Sequence, residues 1–183
     1  MRMGTVGILA LLFLAGACAS PSSGTSSEEP ARSVVRTTGF QTAELLTEGD
    51  RVSSTFEASP GEVWAILHAV YGTLGIPVTQ VAPDRMTLGN PSLETRTIDG
   101  KRMSAYLDCG TTLSGRIADR YDVTLNLSTR VVERAGGGSE ITTSVDAWAE
   151  PRVTRGDAVH CRSRGSLEDR ISAVAAKALN REG

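Results

Sequence analysis

The sequence predicts an α+β domain: an antiparallel sheet of about five to seven strands with two helices packed on one face, in the helix-grip style. Three observations predict it. A complete helix start stands at Ser59-Pro60-Gly61-Glu62, residues 121–131 and 141–149 alternate apolar with polar side chains, and a second helical stretch opens near Ser166. The 183 residues are 40% hydrophobic and 22% charged, which suits one core plus a tail better than two full domains.

The elements follow in order. Residues 51–57 set Val52, Ser54 and Phe56 against Arg51, Ser53 and Thr55, the period of a strand. Ser59 is then an N-cap, Pro60 the first helical residue and Glu62 the third, closing a capping box. Val63, Leu67, Val70 and Leu74 continue at helical spacing with Trp64 and Tyr71 beside them, and Gly72, Gly75 and Pro77 stop the helix. Short strands are expected at 77–82 and 85–89 about Pro83-Asp84. Two more, at 93–98 and 101–107, flank Asp99-Gly100, a strong hairpin signal. The long alternating stretches pair across Gly136-Gly137-Gly138, with one apolar face for the helices to cover. The last helix turns Leu167, Ile171, Val174 and Leu179 inward.

The N-terminus carries an address. A charged start, an apolar run from Val6 to Leu14 and the small residues Ala15-Gly16-Ala17 ahead of Cys18 read as an export signal. The run is shorter than the roughly 20 residues that span a bilayer. Leu14-Ala15-Gly16-Ala17-Cys18 resembles the lipobox of bacterial lipoproteins, with Ala15 where leucine is commonest. The resemblance implies a signal peptide at 1–17, acylation of Cys18 (palmitate) and, with Ala19 rather than Asp next, the periplasmic face of an outer membrane. Cleavage by the ordinary signal peptidase after Ala17 or Ala19 is the alternative. Residues 18–49 read as lipid anchor and flexible tether, since 20–36 are rich in Ser, Pro, Glu and Arg, and residues 50–183 as the globular domain.

In such a compartment Cys109 and Cys161 form an even pair, for which a disulfide is the default and two free thiols the rival. No CxxC or nearby His-Cys spacing marks a metal site, and no cofactor motif is present. Lysine plus arginine number 19 against 21 acids, and this balance gives no field to attract nucleic acid. A nucleophilic enzyme needs a base beside Ser or Cys, and only two histidines exist. His68 falls within the first helix, off its apolar stripe. His160 reads as a loop residue before Cys161. Ser114-Gly115 lacks a Gly-x-Ser-x-Gly elbow. The acids at Asp99, Asp108, Asp119, Asp122, Asp146 and Asp157 read as turn or surface residues. The sequence therefore predicts no enzyme and no catalytic residues.

Two arginine-bearing loops remain, one with Arg116 and Arg120, the other with Arg152 and Arg155. A Cys109–Cys161 bond would anchor both at one edge of the domain, where they could grip an acidic partner or a phosphate. With 17 arginines and two lysines in the chain, arginines also fall on any loop as ordinary solvated charge.

Phe56-Glu57-Ala58-Ser59-Pro60-Gly61-Glu62-Val63-Trp64 resembles the opening of START-like domains, which hold apolar ligands between a curved sheet and a C-terminal helix. The chain departs from them in returning to strand after Gly75 without a second short helix. The order of lipidated cysteine, tether and a Trp-containing helix ending at Leu74-Gly75 is similar to the helix-grip domains of BamC-type lipoproteins of the outer-membrane β-barrel assembly machinery. That resemblance implies a non-enzymatic role in binding or assembling another envelope protein. The START-like resemblance implies the alternative, a carrier of a lipid or other apolar ligand between sheet and C-terminal helix.

Overall fold

The computed structural model describes residues 50–152 and 156–182. The lipobox, Cys18, the tether and Arg155 lie outside the described residues. The chain enters with β1 (Asp50–Phe56) and turns into α1 (Pro60–Thr73). The capping box forms as the sequence dictates: Ser59 N–H donates to Glu62 Oε2 at 2.8 Å and Glu62 N–H to Ser59 Oγ at 3.4 Å. The Ser59 hydroxyl, which donates to Glu62 Oε2 at 2.7 Å, and then the Ser59 N–H favour the ionised carboxylate and hold the Glu62 carboxyl below its usual range. α1 buries Val63, Ile66, Leu67, Val70 and Tyr71.

β2 (Gln80–Ala82) leads through a 3-10 turn, Pro83–Arg85, into β3 (Thr87–Glu94). An excursion follows, made of β4 (Thr97–Ile98), β5 (Lys101–Arg102), a second 3-10 turn, Met103–Ala105, and β6 (Leu107–Asp108). It continues through β7 (Thr111–Thr112), β8 (Gly115–Arg116) and the four-residue α2 (Ile117–Arg120). The long hairpin β9 (Asp122–Glu133) and β10 (Ser139–Glu150), then β11 (Val159–Ser163) and α3 (Ser166–Glu182), complete the domain.

The seven-stranded sheet is antiparallel throughout and runs β2-β3-β9-β10-β11-β6, with β1 also on β10. One edge of β10 is shared: residues 139–145 pair with β1 and residues 147–149 with β11. β9 and β10 are in register from Ser139↔Glu133 to Glu150↔Asp122. Period two then puts Val123, Leu125, Leu127, Thr129 and Val131 on one face with Ile141, Thr143, Val145, Ala147 and Ala149, all buried. α1 and α3 pack on this face and against each other. The space between sheet and helices is filled by Leu67, Tyr71, Leu125, Leu127, Ile141, Leu167 and Ile171. Each fully buried aliphatic side chain is worth about 1.5–3 kcal/mol over the exposed one.

Thr129 and Thr143 would be orphaned hydroxyls in that core. Instead Tyr71 Oη lies 2.8 Å from Thr129 Oγ1, which lies 2.9 Å from Thr143 Oγ1. This buried relay ties α1 to both long strands, satisfying groups whose isolation would be costly. Burial pushes the Tyr71 phenol far up.

Gly89 answers a close approach. It opposes Ser128 where β3 meets β9, and a Cβ there would lie 2.1 Å from Leu127 O and 2.8 Å from Ser128 Cα. Beyond it, between Asn90 and Leu93, the register shifts. Asn90 spans the irregularity, donating through Nδ2 to Pro77 O at 2.9 Å and accepting from Ser92 N–H at 3.0 Å.

The α+β class, a main antiparallel sheet of seven strands and two helices on one face of it are as the sequence predicts; β4-β5 and β7-β8 form separate two-stranded ribbons. Differences concentrate in the excursion. Strand at 93–98 and 101–107 shrinks to the two-residue arms β4 and β5 about Asp99-Gly100, both at positive φ (50° and 70°), because Met103–Ala105 winds into a 3-10 turn that buries Met103. α2 has no counterpart in the sequence reading. It is too short to develop an apolar period, and it is held by tertiary contacts of buried Ile117 and Ala118.

Candidate functional site

The excursion between β3 and β9 is stitched to the C-terminal part of the chain. The Cys109–Cys161 disulfide joins the residue after β6 to β11, with Cα atoms 4.2 Å apart and the two cysteines 52 positions apart in sequence. Beside it Arg164 N–H donates to Tyr106 O at 2.8 Å and Arg164 Nη2 lies 3.3 Å from Asp108. Ser166 Oγ donates to Ala105 O at 2.8 Å, and Arg170 Nε donates to Asp99 at 2.8 Å. The excursion is thus a fixed wall.

The inner side of that wall bounds a concavity of about 460 Å³ lined by Arg96, Arg102, Arg120 and Arg152 with Thr95, Thr97, Ala118, Asp119 and Tyr121. Local rules place each arginine. Thr95 Oγ1 accepts from Thr97 N–H at 3.3 Å and donates to Thr97 O at 2.9 Å, making the bend that carries Arg96. The Asp99-Gly100 turn returns the chain so that Arg102 stands opposite Thr97. Arg120 ends α2. Arg152 follows β10 and is clamped to the start of β9, donating through Nε to Asp122 Oδ1 at 2.7 Å and through Nη2 to Tyr121 O at 3.1 Å.

The charge is lopsided. Four arginines line this space against one carboxylate, Asp119, and that carboxylate is engaged; Asp122, which binds Arg152, lies outside the lining. Asp119 accepts from Ser104 N–H at 3.0 Å and Ser104 Oγ at 2.9 Å. Among the described residues Arg96, Arg102 and Arg120 have no carboxylate partner. Three planar, permanently charged forks around a common space suit a carboxylate or phosphate group.

Of the sequence-derived binding residues, Arg120 and Arg152 meet here. Arg116 sits on the exposed β7–β8 hairpin, away from the lining, and Arg164 serves the wall. Arg96 and Arg102 escaped the sequence reading. Their only signal was proximity to the Asp99-Gly100 turn, and what brings them beside Arg120 is tertiary.

His160 lies in β11 rather than a loop, and its Nε2 is 2.5 Å from Asp146 Oδ1. Its ring centroid is 4.5 Å from that of Trp148, opposite it on β10, so the pair decorates the polar face of the sheet. Asp99, Asp108, Asp122 and Asp146, read as simple surface acids, all carry basic partners. His68 is exposed on α1.

A second, smaller groove of about 240 Å³ runs between α1 and α3, lined by Ala69, Val70, Thr73, Val174, Ala178 and Arg181. It lies outside the layer between sheet and helices. Among the described residues no helix is long and apolar enough to cross a membrane, and no three His, Cys, Asp or Glu side chains gather as metal ligands. No protein-family model matches the chain, and no curated protein matches it.

Proposed function

We propose that this protein is a non-enzymatic envelope lipoprotein, acylated at Cys18 and facing the periplasm from the outer membrane, whose α+β domain binds an acidic segment of another envelope protein. The observation that carries the binding reading is the concavity lined by four arginines, whose one lining carboxylate, Asp119, is already engaged by Ser104. A flexible anionic segment would gain charge-assisted bonds there, and the fixed wall limits the ordering cost on the domain's side. The export signal, the lipobox-like Leu14–Cys18 stretch and the tether support the membrane address. The BamC-type resemblance supports a role in interaction or assembly.

Titration of the full chain with hexaglutamate tests the site. Binding is expected to weaken as salt rises and to fall about tenfold or more in Arg102→Glu/Arg120→Glu, where two attractive contacts become repulsive. Arg116→Glu, which changes charge equally per residue but stands off the lining, is expected to move the affinity less than about threefold. Equal losses in the two variants, or no binding at low salt, would sink the assignment. Fatty-acid analysis of the mature protein tests the anchor: an unacylated chain starting at Ser20 would remove it.

A further inference from the structure

β1 has β10 along one edge and, among the described residues, no strand along the other. From Arg51 to Phe56 its residues alternate between exposed and half-buried, with none fully buried. The opposite border of the sheet is blunted, since β2 is three residues long and runs straight into Pro83. β1 lacks most of the usual protections: it is seven residues long, paired without a bulge, free of proline and lysine, and its charges, Asp50 and Arg51, stand at one end. Above it lies α3, with Val174, Ala178 and Arg181 turned to the α1 groove. The opposite flank of α3 carries Ser172, Ala176 and Leu179 at spacings of four and three, all half-buried.

We infer that two copies of this chain join edge to edge through β1, antiparallel about a twofold axis at Ser54, making one continuous sheet. The register follows from parity. Opposed residues must turn their N–H and C=O groups the same way, both to the seam or both away from it, so in identical strands their numbers are both odd or both even. Axes at Ser53, Ser54 and Thr55 satisfy this. The axis at Ser54 alone opposes Arg51 to Glu57, the residue just past the end of β1, twice by symmetry, and Val52 to Phe56 on the helix face. An axis at Ser53 sets Arg51 against Thr55 and Val52 against Ser54. An axis at Thr55 sets Glu57 against Ser53 and Phe56 against Ser54. Opposite charges and apolar pairs directly across a ladder stabilise it, and only one register supplies both. Glu57 is available, being nearly fully exposed with only a 3.7 Å ion pair to Arg134. The same axis brings the two Ser172–Ala176–Leu179 flanks toward each other above the seam.

The test uses the full chain in mild detergent, with mass by light scattering and circular dichroism to establish folding. A dimer is expected, and Arg51→Glu, which sets like charges opposite Glu57 twice, is expected to weaken it about tenfold or more. Glu57→Arg added to Arg51→Glu should restore the affinity to within about threefold, which a general loss of structure would not do. Ser54→Cys is expected to link copies covalently on mild oxidation, beyond the wild-type level that controls for Cys18, whereas Val81→Cys on β2 is not. A chain that stays monomeric to about 100 μM would overturn the inference. So would a dimer indifferent to Arg51→Glu, or a strand of a different protein found on β1 in place of a second copy.

Discussion

Replacing Cys109 and Cys161 together by alanine is expected to lower the unfolding free energy by about 3–4 kcal/mol, read from urea melts. The bond closes a loop of 52 positions, for which the chain-entropy account gives about 4 kcal/mol through restriction of the unfolded chain. Alanine leaves no orphaned polar atom where the sulfurs were, so the change isolates the cross-link. Both cysteines are buried, at 6% and 2% exposure, and reductant is therefore expected to act only at denaturant concentrations that open the fold. A loss below about 1 kcal/mol would mean that the unfolded chain already keeps the segments around 109 and 161 close, so that the bond restricts it little.

Gly89→Ala is expected to cost about 3 kcal/mol or more, a large effect for one methyl group. The added carbon would stand 2.1 Å from a backbone oxygen of β9, and neither backbone can yield without parting β3 from β9. Amide exchange in residues 127–130 should accelerate with the loss of stability. Gly61→Ala is the contrasting case. It lies in the first turn of α1, its Cβ would meet nothing within 4 Å, and the substitution is expected to stabilise by about 0.5–1 kcal/mol. Equal effects at the two positions would refute the close-approach argument.

Much of this architecture was legible because its signals are local. Ser59 and Glu62 define the start of α1 within four residues, and the alternation in β9 and β10 reports both the strands and the face they bury. The concavity was not legible to the same degree. Arg120 and Arg152 could be suspected from their loops, but Arg96 and Arg102 reach the site only through a turn and a wall whose closure depends on residues some 60 positions away, such as Cys161, Arg164 and Arg170. A short 3-10 turn and a four-residue helix carry no periodicity, so the chain around 95–120 offered turn chemistry and little else. His160 was misplaced for a related reason. β11 is five residues long with only Cys161 fully buried, and an alternation of that length in the short stretch between Gly156 and Gly165 is indistinguishable from a loop.

The pairing of β1 has a consequence in time. β9 and β10 are joined by a short glycine turn and can zip as soon as both exist, whereas Asp50 finds Val145 only after about ninety intervening residues have been brought round. The earliest strand of the domain to be synthesised therefore has no partner until nearly all the rest has emerged. If it docks late, after the β9–β10 hairpin has formed, substitutions in its buried-facing positions such as Val52→Ala should speed unfolding while leaving the folding rate nearly unchanged. Slowed folding would instead place β1 in the nucleus.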